Sequence, residues 1–287
     1  MGRFAPSPSG DLHLGSLYTA AAGYLDARAN GGRWLVRMED LDRPRVIAGS
    51  AERILDTLQA FGFEWDGSVA YQSHRTEAYR AALATLDSGG LTFLCSCSRS
   101  QLADEERYPG HCRGGPLIAS APTATRLRVT PGYIPFTDRI QGLFRQEVAA
   151  TVGDMVLKRR DGIIAYALAV VVDDAAQGVT DIVRGADLLD NTPRQMYLQR
   201  LLGIAPPAYA HVPLLTEPDG KKLAKSTRSV SLKSRAALPQ LVEVFRLLGM
   251  SPPRELDYAS LAEAWRWGVA HWRIDAVPKR LTRQPSA

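Results

Sequence analysis

"RFAPSPSGDLHLGSL", the segment from Arg3 to Leu17, places two prolines and a glycine ahead of a His-Leu-Gly-Ser turn. Each proline fixes its own φ angle and restricts the residue before it, which predicts an extended loop over Ala5 to Gly10. The Ala- and Leu-rich residues that follow predict a helix beginning near His13 or Gly15 and stopping at Asn30. A strand, a loop and a helix amino terminus in this order form either an ordinary turn or a phosphate site, because free backbone N–H groups and the helix dipole attract anions.

The next segments also alternate between strand and helix patterns. "RWLVRMED", Arg33 to Asp40, predicts a short buried strand that ends in two carboxylates, and Ala48 to Phe61 has helical spacing. Residues 1–88 therefore predict the order strand, helix, strand, helix, helix. This order favours a parallel sheet with helices on its faces.

A different pattern follows, over residues 89–160. "GHCRGGPLIASAPTA" is typical of a loop, and "TRLRV" and "GLFRQEV" predict short strands without a long helix. Strand and helix patterns then resume, and two last helices are predicted around Pro239 to Leu248 and Tyr258 to Val269.

The predicted fold class is α/β. It comprises a Rossmann-type nucleotide-binding parallel sheet, an inserted zinc-containing loop-rich β module and a short helical carboxyl-terminal part. The predicted boundaries are 1–88 and 161–236 for the two halves of the catalytic domain, 89–160 for the insertion and 237–287 for the carboxyl-terminal region.

Composition narrows the class of protein. Hydrophobic residues make up 45% of the 287 residues and charged residues 23%, which is ordinary for a globular protein. No apolar run approaches the roughly 20 residues of a membrane span, and no secretory signal is visible, so we expect a cytoplasmic protein without a membrane partner. The net charge of +5 is compatible with a nucleic-acid partner.

The three cysteines, Cys95, Cys97 and Cys112, all lie in the inserted segment. An odd, clustered set argues against a disulfide framework. Three thiolates on a segment with little core of its own suit one structural zinc ion, and the alternative is three cysteines without a ligand. From chemistry alone, His111 is the fourth ligand.

A second polar motif, "KKLAKS" from Lys221 to Ser226, follows the apolar "HVPLL" and a Pro-Asp-Gly turn. A small loop with lysines and a serine suits the grip on a triphosphate, because ammonium groups neutralise the charge that develops during displacement at phosphorus. The alternative is a solvated lysine-rich turn.

Together, His13-Leu14-Gly15-Ser16 and Lys222-Leu223-Ala224-Lys225-Ser226 resemble the paired His-Ile-Gly-His and Lys-Met-Ser-Lys-Ser motifs of class I aminoacyl-tRNA synthetases. "RFAPSPSG", "RMEDLD" and "YALAVVVDDAAQGVTDIVRGADLL" look like the glutamate-specific members of that family. The similarity to short paralogues of glutamyl-tRNA synthetase runs from Gly2 to about residue 250.

The resemblance implies that the α-carboxylate of glutamate attacks the α-phosphorus of Mg-ATP, giving glutamyl-adenylate and pyrophosphate. In this reaction, His13 and the helix start donate to the phosphates, Gly15 leaves room for the nucleotide and Lys225 steadies the transition state. Ser16 replaces the second histidine of the motif. The implied catalytic residues are His13, Gly15, Ser16, Lys222 and Lys225, and the implied ATP-binding residues are His13, Gly15 and Lys225.

The glutamate ligand carries two carboxylates and one ammonium group, so its pocket needs two cationic forks and one anion. This requirement is met by Arg3, Arg184 and Glu39. Glu39 is assigned to the ammonium group, and which arginine binds which carboxylate of glutamate stays open. By resemblance, the pocket is also lined by Phe4, Ala5, Pro6, Ser7 and Tyr166. Val170 stands where asparagine is frequent in full-length glutamyl-tRNA synthetases, and this change implies either weaker glutamate binding or glutamate binding that does not depend on tRNA.

The resemblance also implies Tyr108 as the fourth zinc ligand, with His111 in reserve. Only about sixty residues follow the lysine loop, so we expect no anticodon-binding domain. The implied acceptor is then the queuosine base in the anticodon of tRNA(Asp), and the expected partners are L-glutamate, ATP and this tRNA, bound by a monomer. Basic residues that can contact its phosphates are Lys158, Arg159, Arg160 and the loop at Lys221, and the alternative for each is a solvated surface charge. Two alternatives stay open, a truncated glutamyl-tRNA synthetase that charges a 3′ end and an inactive tRNA-binding module.

Overall fold

The computed structural model describes residues 1–216, 232 and 236–284. The predicted lysine loop, with Lys222 and Lys225, lies outside the described residues. Among the residues described, no helix combines the length and the apolar character that a bilayer span requires.

A parallel sheet and its helices occupy the first part of the chain, as predicted. The elements are β1 (Gly2–Phe4), α1 (Leu14–Ala29), β2 (Trp34–Met38), α2 (Ser50–Ala60), β3 (Ala70–Tyr71) and α3 (Thr76–Ser88). Strand β2 pairs in parallel with β1 on one side and with β3 on the other. Strand β3 was not predicted, because two residues are too few to produce an alternating pattern.

The inserted segment is built from short antiparallel strands. Its elements are β4 (Thr92–Cys95), β5 (Ala124–Leu127), β6 (Tyr133–Asp138), β7 (Gly142–Glu147), the single turn α4 (Val148–Thr151) and β8 (Val156–Lys158). Strands β4, β5 and β8 form one antiparallel sheet, and β6 and β7 form a separate hairpin. The predicted loop-rich β character is confirmed.

The parallel arrangement resumes after the insertion. The elements are α5 (Tyr166–Ala176), β9 (Asp181–Gly185), α6 (Thr192–Leu201), β10 (Ala208–Val212), β11 (Leu214–Leu215), α7 (Ala237–Leu247), α8 (Leu261–His271) and β12 (Thr282–Arg283). Strands β9 and β10 pair in parallel. The backbone N–H groups of Thr180 and Asp181 donate to the Met1 carbonyl over 3.0 and 3.1 Å, which joins the start of β9 to the start of β1.

The largest hydrophobic core surrounds α1 and includes side chains from the last two helices. Ala20, Ala21 and Ala22 of α1 are fully buried, because small side chains let neighbouring elements approach the helix closely. The indole N–H of Trp265 in α8 donates to the Phe61 carbonyl over 2.9 Å. Helices α7 and α8 therefore pack on the first half of the catalytic fold, and the domain boundaries given above stay a prediction.

Candidate active site

A cavity of about 300 Å³ opens at the carboxyl ends of β1 and β9, beside the amino terminus of α1. Ligands bind at this edge in open parallel sheets, because the loops that follow the strands diverge there. The cavity brings together residues that lie far apart in the sequence. Those predicted from the sequence are Arg3, Phe4, Ala5, Pro6, Ser7, His13, Gly15, Ser16, Tyr166 and Arg184.

His13 caps the helix that begins at this cavity. Its Nδ1 accepts a hydrogen bond from the Ser16 backbone N–H over 3.3 Å. A neutral imidazole that accepts at Nδ1 carries its proton on Nε2, so Nε2 is the donor nitrogen. A Cβ on Gly15 would lie 3.0 Å from Cε1 of the His13 ring, which explains glycine at this position. The helix start thus combines a polar donor with the positive end of the helix dipole.

Arg184, at the end of β9, is held by two side chains. Its Nε donates to Nε2 of His211 over 3.0 Å, and its Nη2 donates to the Thr192 hydroxyl over 2.7 Å. The remaining Nη1 is buried and has no hydrogen-bond partner among the described residues. A buried guanidinium nitrogen without an acceptor costs about 1–3 kcal/mol or more, so it suits a ligand carboxylate.

His211 is itself held by the inserted hairpin. Its Nδ1 lies 2.6 Å from Oδ2 of Asp138, the last residue of β6, and both side chains are fully buried. Burial, with help from Arg184, lowers the pKa of His211 despite the neighbouring carboxylate. The neutral ring therefore donates from Nδ1 to Asp138 and accepts at Nε2 from Arg184. Asp138 in turn accepts backbone N–H groups of Ile140, Gln141 and His211, which fixes its orientation.

Nε and Nη2 of Arg3 are bonded to a carboxylate of the protein. These atoms donate to the two carboxylate oxygens of Asp174 over 3.2 and 3.3 Å. Arg37 donates to the same carboxylate from Nη1 over 2.7 Å, and its Nη2 lies 3.3 Å from Oε1 of Glu39. The sequence predicted two arginines that each offer a whole guanidinium fork to the ligand. In the structure, Nε and Nη2 of Arg3 and of Arg184 are already bonded within the protein, so each offers only Nη1.

Asp173, the residue before Asp174, anchors a second set of bonds on the same helix. Its carboxylate accepts from Nε of Arg75 over 2.5 Å, and from Gln72 and the Tyr79 hydroxyl over 2.8 Å each. The resulting network balances three arginines against three carboxylates. These are Arg3, Arg37 and Arg75 with Glu39, Asp173 and Asp174.

Glu39 lines an adjoining cavity of about 330 Å³ rather than the first one. Ser7, Ser9 and Tyr166 line both cavities, so the two spaces are neighbours. Burial raises the pKa of Glu39 against the opposing effects of Arg37 and Arg3. Val170, by contrast, is buried in the core of α5 and lines neither cavity.

The three cysteines form one buried cluster in the insertion. The Sγ atoms of Cys95, Cys97 and Cys112 all lie within 4.8 Å of one another. The Tyr108 hydroxyl lies 3.4 Å from Sγ of Cys95 and accepts the Cys112 backbone N–H over 2.9 Å. His111 is exposed and does not join this group among the described residues.

The donor set fits a tetrahedral metal ion. Zn–S bonds of about 2.3 Å place two thiolates about 3.8 Å apart in a tetrahedron, and Cys97 and Cys112 lie 3.6 Å apart. Against the raising effect of burial, hydrogen bonds from the backbone of Leu117 and Ser96 lower the pKa of Cys112 to about 6. The cluster can therefore hold a metal through three thiolates, with the phenol oxygen beside them.

Comparison with known proteins agrees with this geometry. The family "tRNA synthetases class I (E and Q), catalytic domain" matches residues 1–112 and 118–267. The chain belongs to this class I tRNA synthetase family. Members of the family are ligases, and the parallel α/β sheet described above is the class I synthetase fold.

Several relatives of this synthetase cover nearly its whole length. The glutamyl-Q tRNA(Asp) synthetase of Pseudomonas aeruginosa is 56% identical over 98% of this chain and 96% of its own. The protein of the same name from Dechloromonas aromatica is 51% identical over 97% of this chain. A solved glutamate tRNA ligase from Elizabethkingia meningosepticum superposes with a TM-score of 0.81 at 25% identity, covering 99% of this chain and 66% of that one.

Four residues of the synthetase site were not predicted from the sequence. Asp174 of α5 pairs with Arg37 of β2, and His211 and Asp138 support Arg184. The sequence did contain a signal for Asp174 and for His211. Two adjacent aspartates stand in the apolar "AVVVDDAA", and a histidine stands in the apolar strand "AYAHV", where charged side chains are rare unless they are paired.

Proposed function

We propose that this synthetase activates L-glutamate with ATP without help from tRNA, and transfers the glutamyl group to the queuosine base in the anticodon of tRNA(Asp). The curated relatives named glutamyl-Q tRNA(Asp) synthetase support the acceptor. Glutamate binding is supported by one observation in particular. Nη1 of Arg184 is buried and has no partner in the described part of the chain, in a cavity that also contains the capped start of α1.

The glutamate ligand is expected to bind through opposite charges. One carboxylate takes Nη1 of Arg184 and the other takes Nη1 of Arg3, in an order that stays open. Glu39 takes the ammonium group from the adjoining cavity, and Ser7 and Tyr166 stand between the two spaces. A glutamate tRNA ligase of the same fold has been solved with its amino acid.

Activation requires more charge neutralisation than proton transfer. A carboxylate oxygen of glutamate forms a bond to the α-phosphorus, and the bond from this phosphorus to the bridging oxygen breaks to release pyrophosphate. His13 and the start of α1 would donate to phosphate oxygens, with Gly15 and Ser16 beside them, and the proposal is supported by the position of all three residues on the cavity wall. Lys222 and Lys225 are proposed as further catalytic residues, on the basis of their sequence motif alone. Mg²⁺ arrives with ATP as part of the substrate.

Transfer then consumes the adenylate. A hydroxyl of the queuosine base bonds to the glutamyl carbonyl carbon, and AMP leaves. We propose no role for an anticodon-binding domain in this step, because the same catalytic face receives the anticodon loop.

The cysteine cluster is proposed to hold one structural zinc ion through Cys95, Cys97, Cys112 and Tyr108. These four side chains are buried together in a segment whose own core is small, so the metal would replace a core. The zinc ion orders the insertion and takes no part in the reaction.

The acceptor is tested with labelled glutamate and four RNAs. We expect incorporation into queuosine-containing tRNA(Asp) from which the terminal adenosine has been removed, and none into the same tRNA made without queuosine. Charging of intact tRNA(Glu), lost on removal of its terminal adenosine, would instead support a truncated glutamyl-tRNA synthetase. No incorporation into any RNA would support a binding module without chemistry.

A further inference from the structure

A third cavity, of about 400 Å³, lies between the insertion and the starts of α5 and α6. We call it the Arg194 cavity, after the arginine in the first turns of α6. Tyr166 lines it and also lines the glutamate cavity, so the two are separated by one side chain. Its volume falls within the range of small-molecule sites, roughly 300–1,000 Å³.

Arg194 is half-buried in this cavity without a partner. Among the described residues it makes no hydrogen bond and no ion pair, and its Nε is buried and unsatisfied. Burial lowers the pKa of Arg194, opposed only by the charge of Asp190, which forms no salt bridge with it. Arg37, which is equally part of the catalytic fold, is instead surrounded by carboxylates.

A second cation faces the same space. Arg126 holds its guanidinium carbon 3.8 Å from the centre of the Tyr108 ring and donates from Nη1 to the Asp154 carbonyl over 2.8 Å. Its Nε is also buried and unsatisfied. The Asp154 carboxylate pairs instead with the Arg113 fork over 2.6 and 2.7 Å, and it forms no ion pair with Arg194 or Arg126 among the described residues.

The carboxylates at the rim do not change this balance. Glu105 and Glu106 line the cavity but are exposed, and neither forms an ion pair with Arg194 or Arg126 in the described part of the chain. A desolvated cation costs free energy unless an anion offsets it. An arginine in this position therefore suits a bound anion, and its planar fork matches a phosphate.

We propose that Arg194 binds a backbone phosphate of the acceptor RNA, so that the acceptor nucleotide enters through the Arg194 cavity and meets the glutamyl group beside Tyr166. This inference rests on the proposed function, since it assumes an RNA acceptor. The phosphate of a polymer, rather than a free anion, is favoured because the cavity adjoins the site where the acceptor must arrive.

The test measures affinity for a queuosine-containing tRNA(Asp) anticodon stem-loop at several salt concentrations. Arg194→Gln is expected to raise the Kd at least about tenfold and to reduce the slope of log Kd against log salt by about one. Arg194→Lys keeps the charge but not the fork, so it should retain the slope and bind more weakly than the wild type. Arg200→Gln is the matched control, because Arg200 lies exposed on the same helix.

Equal affinity of the wild type and Arg194→Gln, or an equal loss in Arg200→Gln, would overturn the inference. Relief of the Arg194→Gln defect by inorganic phosphate, without any change in RNA affinity of the wild type, would assign the cavity to a free anion and also overturn it. Failure of the proposed function is seen separately, as absence of glutamate-dependent pyrophosphate exchange in the wild type.

Thermal unfolding separates binding from a structural role. Arg194→Met keeps an unbranched side chain and removes a half-buried charge that has no partner among the described residues, so its Tm is expected to equal or exceed that of the wild type while RNA binding is lost. A lower Tm together with unchanged RNA binding would make Arg194 a structural residue.

Discussion

Arg184 donates from Nε to Nε2 of His211 over 3.0 Å, and this bond fixes which nitrogen of the arginine faces the cavity. His211 can accept only because its other nitrogen donates to Asp138 from the inserted hairpin. The insertion, which is distant in sequence from β9, thus positions a guanidinium of the proposed glutamate site.

His211→Phe should raise the KM for glutamate at least about fivefold in pyrophosphate exchange. The substitution leaves Nε of Arg184 buried without an acceptor, a penalty of about 1–3 kcal/mol that is relieved by turning the guanidinium away. His271→Phe removes an exposed histidine and should leave the KM unchanged. Asp138→Asn keeps the size of the side chain that holds His211, so it should raise the KM for glutamate by less than His211→Phe does. An unaltered KM in both His211→Phe and Asp138→Asn would contradict a positioning role.

Acid should lower the stability of the folded protein through His211. The pKa of His211 is lowered in the folded protein, from an ordinary value of 6.5. Below about pH 6.5 the unfolded chain binds a proton that the folded chain refuses, so the free energy of unfolding falls as the pH falls towards the folded pKa. Asp138, whose pKa is also lowered, adds to this loss only at more acidic pH.

Urea unfolding between about pH 7 and pH 5 measures this effect. We expect the stability of the wild type to decline more steeply over this range than that of His211→Phe, which has no proton to gain. Parallel profiles for the two proteins would show that His211 is not held neutral by the fold.

Asp174→Asn should destabilise the protein by about 3–5 kcal/mol, because Arg3 and Arg37 would then lose their shared carboxylate in a buried site. Chemical denaturation checks the value. Asp181→Asn is the control, since Asp181 is partly exposed and lies 3.4 Å from Arg139. A loss below about 1 kcal/mol would mean that water or other groups satisfy the two arginines.

Metal analysis tests the cysteine cluster. Protein prepared without chelator should carry about one zinc per chain, and Cys112→Ser should lose it, because a structural site needs its full ligand set. Tyr108→Phe should weaken zinc retention, whereas His111→Ala should not, since His111 is exposed and outside the cluster. Wild-type protein without zinc would contradict the proposed site. Loss of zinc in His111→Ala but not in Tyr108→Phe would show that His111, not Tyr108, is the fourth ligand.

Lys225→Ala should lower the rate of glutamate-dependent pyrophosphate exchange at least about tenfold. We propose from the motif that this ammonium group neutralises the negative charge that develops, and one preorganised charge contributes at least that factor. Lys279→Ala removes an exposed lysine elsewhere and should leave the rate unchanged. A normal rate in Lys225→Ala would deny the lysine loop its proposed role.

Local sequence rules were sufficient for the helix at the site. The prolines before His13 and the Ala-rich run after it determine where α1 begins, because both act through residues that are neighbours along the chain. The helix starts at Leu14, within one residue of both predicted starts, His13 and Gly15, and the structure adds that His13 caps it. The same local patterns predicted the parallel order and the loop-rich insertion.

The supports of the site depend on tertiary structure alone. Arg37 meets Asp174 across 137 residues of chain, and Asp138 meets His211 across 73. Such pairs arise only when strands adopt their register and the hairpin packs on the sheet, which no local pattern encodes. The sequence by itself determined which residue types surround the cavity. Packing decided which nitrogen of Arg184 stays unpaired among the residues that the structure describes, because each donor that bonds to a neighbour is lost to the ligand.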